Sequence, residues 1–298
     1  MADVRTVSLA PRSFRTRVGG LFLFVPLMRQ LDLAAVVREA ALPTSKMIPA
    51  EQAVRTLLAL KLVGKERKSH IMDLVFDPGI ALFAGLNVVP KRSYLAAYSS
   101  RIDRRGTERL MATWFDAVHG AGLGRGTSID VDFHTVPANA QVEPLEKHYV
   151  SSRSRSQKGI LVFLARDATE RVLCYSQAGI PKAQQPDEIL RFVEFWKRHT
   201  GHPPEELVFD SQLTTYANLS TLNQQDIRFM TLRRRSKKML AKIWSRPASA
   251  WQRITLRSLT RTFRTPKVLD ERVHLKGYQG PLRQVTDIDL GQEDPTLL

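Results

Sequence analysis

The chain has 298 residues, 43% apolar and 25% charged, an ordinary globular balance except for its charge: 45 basic against 29 acidic residues, net +16, pI near 10.3. An excess of that size points to a polyanionic partner, most often nucleic acid, and the length allows one large domain or two to three smaller ones. The single cysteine, Cys174, excludes an internal disulfide and a thiolate zinc site, and no early apolar run marks a signal peptide or reaches the ~20 residues of a membrane span.

Residues 1–17 are polar and basic. The run Leu21–Met28 (LFLFVPLM) is too short to span a bilayer and is expected in the core. From about Gly20 to Gly120 the periodicity is helical. LDLAAVVREAA sets Leu31, Leu33, Ala34, Val37 and Ala41 on one face. Pro49 and Glu51 open a helix carrying Val54, Leu57, Leu58 and Leu62, and Asp77-Pro78-Gly79 reads as a turn. KRSYLAAYSSRI and GTERLMATWFDAVHG predict two more helices, the second with Leu110, Trp114 and Val118 four apart. This half, residues 1–122, reads as a helical domain for DNA binding or dimerisation.

Glycines at 120, 122, 124 and 126 predict a flexible joint and a domain boundary. Strands are then expected at Ser128–Phe133, Gly159–Ala165 and Arg171–Ser176, the last two joined as a hairpin through Arg166–Glu170. Cys174, inside the third, reads as a buried strand thiol, which suits a reducing cytoplasm. A helix after Pro186 carries Ile189, Val193 and Trp196. The strand Glu206–Asp210 follows, then a helix with Leu213, Tyr216, Leu219 and Leu222, then the strand Ile227–Leu232. That order makes a mixed α/β sheet of the kind found in ribonuclease-H-like domains. Beyond it, RRRSKKMLAKIW is a dense cationic run, followed by the β-like segments WQRITL and ERVHLKGY. Trp244 and Trp251 are expected to pack in the core rather than stack on bases.

Charge is unevenly spread. Residues 1–126 hold 19 basic and 10 acidic side chains, residues 127–227 hold 10 and 13, and residues 228–283 hold 16 and 2. A slightly acidic middle thus lies between two cationic flanks, a distribution that a metal-binding carboxylate site framed by phosphate-gripping surfaces would produce. Asp130 and Asp132, two apart on one strand, share a face with His134. Asp210 ends a second strand. Strand-end aspartates can converge to hold hard cations for phosphoryl transfer, or serve as turn formers and helix N-caps, as Asp210-Ser211 before a helix would.

The segments VDFHTVP, EKHYVSSRSRSQKGILVFLARDA, EILRFVEFWK, LVFDSQLTTYANLSTLNQQDIRFMTLRRRS and VLDERVHLKGYQGPLRQ resemble bacterial insertion-sequence transposases. More narrowly they resemble the branch of the DDE superfamily whose ribonuclease-H-like core carries a β-strand insertion before its last acid. The resemblance runs from about Ser128 to the end and is weaker over the helical half. It implies an α+β fold: the helical N-terminal domain, a ribonuclease-H-like core at 127–235 and a cationic β-rich insertion at 236–298. Asp132 and Asp210 would be the first two catalytic acids, holding two Mg²⁺ ions, with Asp130 as the alternative ligand. DNA contacts are expected at Arg153, Arg155 and Lys158, and at Arg233, Arg234, Arg235, Lys237 and Lys238.

The family's third acid is a Glu on a helix after the insertion. Neither Glu271 nor Glu293 matches it, which implies a chain that stops ahead of that residue. The implied activity is metal-dependent cleavage and strand transfer at insertion-sequence ends, by a homodimer on double-stranded DNA in the cytoplasm, associated with the nucleoid. The alternative is a non-catalytic remnant that binds element ends or inhibits the full-length enzyme.

Overall fold

The computed structural model describes residues 13–138, 145–150, 154–210, 213–233, 235–255, 265–288 and 296–297. The chain divides into two compact units, Met1–Leu123 and Gly124–Leu298. The described part of the first is all helical: a 3-10 helix at Gly19–Phe24, then α1 (Val25–Gln30), α2 (Leu33–Glu39), α3 (Ala50–Leu62), a 3-10 helix at Lys68–Asp73, α4 (Pro78–Ala84), α5 (Arg92–Arg101) and α6 (Arg104–Gly120). Asp32, Asp77 and Asp103 cap α2, α4 and α6 by accepting from backbone N–H groups of the first turn.

Two expectations shift here. On α3 the buried stripe is Ala53, Thr56, Ala59 and Leu60, while Val54, Leu57, Leu58 and Leu62 are only half-buried. Three small residues and Leu60 take the inward stripe, and the half-buried Val54, Leu57, Leu58 and Leu62 pack against the core beside it. In LFLFVPLM, Leu21 and Met28 are buried but Leu23 is 82% exposed, because the helical turn rotates it outward with Phe24 and Leu27. Among the described residues no single helix is long and apolar enough to cross a membrane; Gly19–Gln30 and Leu33–Glu39 pass that test only as a pair bent by 63°.

Asp77 does more than cap α4. Its carboxylate accepts from Gly79 N at 2.8 Å, Thr16 Oγ1 at 2.6 Å and Arg17 N at 2.9 Å. Partial burial pushes its pKa up, but these hydrogen bonds together outweigh that and hold it below 3.8. A depressed carboxylate contributes stability above its unfolded pKa and loses it as pH falls through the folded value. Asp77→Asn is therefore expected to lower stability at neutral pH, because a neutral amide oxygen accepts more weakly than the carboxylate from Thr16, Arg17 and Gly79. As pH falls below the folded value the variant and wild type should converge in urea melts, because both are then neutral there. An equal loss at both pH values would argue against an ionised cap.

The second unit is built on β1 (Ser128–Pro137). Antiparallel β3 (Arg155–Asp167) flanks it on one side and parallel β5 (Glu206–Phe209) on the other. With β2 (Glu146–Val150), β4 (Leu173–Ala178) and β6 (Arg228–Thr231), the strand order is β2-β3-β1-β5-β6, and β4 also pairs with β3. Helix α7 (Glu188–Thr200) leads into β5, and α8 (Tyr216–Gln224) connects β5 to the parallel β6. The predicted alternation holds. Ile129 and Val131, Phe163 and Ala165, and Leu207 and Phe209 are buried, as are Ile189, Val193 and Trp196 on α7. Phe163, Tyr175 and Phe192 meet with ring centroids 5.5–6.1 Å apart. Cys174 is buried as expected, and burial pushes its thiol up to about 11.

Three elements depart from the sequence reading. β2 was not anticipated, since EKHYV puts a histidine where an apolar residue would signal the inward face. His148 is nonetheless buried, and burial, then nearby Lys182, holds its imidazole below 6.5. The cationic run contains a helix, α9 (Lys237–Trp244), capped by Ser236 and seated on buried Ile243. The glycine stretch expected to be a flexible joint is fastened at Gly124 and Gly126 by the carboxylates of Glu170 and Asp167. The unit is completed by an antiparallel sheet of β7 (Gln252–Arg253), β8 (Lys267–His274), β9 (Pro281–Ile288) and β10 (Thr296–Leu297). Its β8–β9 turn rests on α8 and β6 through Gln279 N to Ser220 Oγ (2.9 Å) and the Phe229–Tyr278 ring contact.

Candidate functional site

The parallel pairing of β1 with β5 runs Ser128–Glu206, Ile129–Leu207, Asp130–Val208 and Val131–Phe209. The next residue on each side is an aspartate, Asp132 and Asp210, and both are exposed. Adjacent strands lie about 4.8 Å apart, and residues in register project to the same face. Asp132, midway along β1 rather than at its end because the strand runs on to Pro137, and Asp210, just past the end of β5, are 78 positions apart in sequence (210 minus 132) yet each directly follows the same registered pair. One Asp132 oxygen accepts from Phe133 N at 2.7 Å. The N-cap of α8 is Thr215, whose hydroxyl accepts from Asn218 N, so that role does not fall to Asp210.

Asp130 behaves differently. It is the cross-strand partner of Arg166, whose Nη2 donates to its Oδ2 at 2.8 Å. His134, also exposed, lies further along β1. Among the described residues no group of three or more His, Cys, Asp or Glu side chains is placed to hold a metal ion. What the register brings to adjoining strand positions is a pair of aspartates. Mg²⁺ accepts such a donor set, because it keeps several waters and takes its remaining ligands from substrate phosphates.

The basic residues divide into three groups. Arg153 and Arg234 lie outside the described residues. Arg155 and Lys158 are exposed on β3, and Lys237 and Lys238 are exposed at the start of α9, with Arg235 exposed just ahead of it. Arg233, expected on DNA, is instead half-buried and donates to Gln284 of β9. The reason is structural: β6 ends beside the second sheet, and Gln284 offers the acceptor that a partly buried guanidinium needs.

The unanticipated β2 adds two residues. Lys147 stands directly opposite Lys158, and Tyr149, 63% exposed, stands opposite Ser156. Like charges set directly across a strand pair are destabilising in isolation, and a bound anion relieves them. No alternation signal marked this strand, so these residues were not legible as contacts.

In the second sheet, Glu271 is tied to Arg246 and accepts from Gln284 Nε2 at 3.3 Å. It is a structural ion-pair member. Glu293 lies outside the described residues. Trp244, expected in the core, is 50% exposed, because Ile243 takes the inward face of α9 and turns the indole to the side that carries Lys237. Trp251 is half-buried.

No protein-family model matches the chain, and no curated protein matches it by sequence. Among solved structures it is distantly similar to a piggyBac transposase in a synaptic complex with hairpin DNA, at a TM-score of 0.46 and 12% identity. The match covers 93% of this chain and 58% of the other, so the chain spans less than two thirds of that transposase chain's length.

Proposed function

We propose that the chain is a DNA transposase of the DDE type from a bacterial insertion sequence, with a ribonuclease-H-like core that cleaves and joins DNA strands. One observation carries this reading: Asp132 and Asp210 directly follow the last registered pair of adjacent parallel strands. Further support comes from the mixed sheet and from the basic side chains at Lys147, Arg155, Lys158, Lys237 and Lys238. Asp132 and Asp210 would hold Mg²⁺. Bound there, the ions supply an activated nucleophile and neutralise charge on the scissile phosphate. The reaction is hydrolysis at the element end, followed by attack of the freed 3′-hydroxyl on target DNA. The exposed lysines and arginines hold phosphates, and two copies of the chain pair two ends.

The test is Mg²⁺-dependent nicking of a duplex carrying an element end. Persistent failure to nick, with DNA retained, would favour the second reading, a non-catalytic DNA-binding remnant. That reading draws support from Glu271, which is engaged with Arg246 rather than presented beside the two aspartates. Both readings require phosphate contact. Replacing Lys147 and Lys158 together by Gln is expected to reduce the slope of log affinity against log salt by about 2, at ~0.9 per phosphate contact. An unchanged slope would remove β2 and β3 from the DNA surface.

A further inference from the structure

We infer that Asp130 is a positioning residue that holds Arg166 away from Asp132, keeping the Asp132 carboxylate available to a cation. This role rests on the reading of Asp132 and Asp210 as cation ligands. It replaces the idea that Asp130 is itself an alternative ligand.

The register carries the inference. In the antiparallel pair β1–β3, Asp130 faces Arg166 and Asp132 faces Leu164. Arg166 is thus the diagonal neighbour of Asp132, about 7–8 Å away between positions and within reach of a long side chain. All three project from the same face, since they share parity along their strands. Two carboxylates therefore compete for one guanidinium, and the 2.8 Å contact goes to Asp130. Both partners of that pair are accessible, at 50% for Arg166 and 37% for Asp130, so packing does not dictate the choice. Were Asp130 neutral, the nearest remaining carboxylate on β1 would be that of Asp132. An Arg166–Asp132 pair would occupy the oxygens a divalent ion needs and would offset the charge that attracts it.

The experiment is calorimetric titration of the full chain with Mn²⁺, without DNA, on wild type, Asp130→Asn, Arg166→Gln, the double variant and Asp132→Asn. Asp130→Asn is expected to weaken Mn²⁺ binding about tenfold, the low end of the 10–100-fold effects of outer-shell partners. Arg166→Gln should bind at least as tightly as wild type, and the double variant should return to within about threefold of it. A double variant as weak as Asp130→Asn would make Asp130 a ligand and overturn the inference, as would an Asp130→Asn affinity equal to wild type. In about 0.5 M salt a lone charge is screened within ~4 Å, so a loss that vanishes there is a field effect and also overturns it. Wild-type binding that Asp132→Asn leaves untouched would instead overturn the acid pair, and this role with it. Binding lost in Asp132→Asn without the Asp130–Arg166 pattern would count against this role alone.

Discussion

Asp132→Asn and Asp210→Asn are each expected to reduce Mg²⁺-dependent strand cleavage by about a thousandfold or more, since metal stabilisation of the transition state is worth several kcal/mol and each 1.36 kcal/mol is tenfold. Charge and position set the effect. Asparagine keeps the size of the side chain and one oxygen but removes the formal charge that draws a hard cation. Both residues are exposed, so neither substitution opens a cavity or strands a buried group. DNA retention should therefore survive in both variants while cleavage disappears, as measured by gel shift and nicking of the same duplex. Cleavage that persists in either variant would remove that residue from the site. Loss of retention together with cleavage would point to misfolding rather than to lost chemistry.

Asp167→Ala is expected to destabilise the second unit strongly. The carboxylate is fully buried and accepts from Thr169 N at 2.7 Å and Glu170 N at 2.9 Å, as well as from Gly126 N. Truncation leaves three backbone donors without their acceptor. At roughly 1–3 kcal/mol per buried unsatisfied group, and with partial hydration, a loss of ~3 kcal/mol or more is expected. In urea this should lower the midpoint by about 1 M or more. Gly126→Ala attacks the same contact from the other side, because a Cβ there would lie 2.4 Å from Asp167 Oδ2. The two changes break one interaction, so the double variant should lose clearly less than the sum of the singles. Strict additivity, or a loss under about 1 kcal/mol from Asp167→Ala, would show that the clamp is not what secures the β3–β4 turn to the preceding glycines.

What the sequence determined alone is the set of local patterns. Two-residue alternation located β1, β3 and β5, and three-to-four-residue periodicity located α6 and α7, because burial of one face leaves its period in the order of residues. The same parity marked Asp130 and Asp132 as one face, and strand-end position singled out Asp210. The cationic flanks were legible from charge alone. Where the inward position is polar, as at His148 in β2, or where lysines mask an eight-residue helix, as in α9, the pattern is silent.

Only the tertiary structure decided which distant residues meet. The register of β1 on β5 makes Asp132 and Asp210 neighbours, and the register of β1 on β3 gives Arg166 to Asp130 rather than to Asp132. Arg233 is half-buried because Gln284 lies beside it as an acceptor, and Asp167 becomes a buried clamp because Gly126 folds back onto it. Periodicity reports that a face is covered, but not by what. A strand carboxylate becomes an ion-pair partner, as Asp130 does, or a clamp, as Asp167 does, according to the group that folding sets across from it.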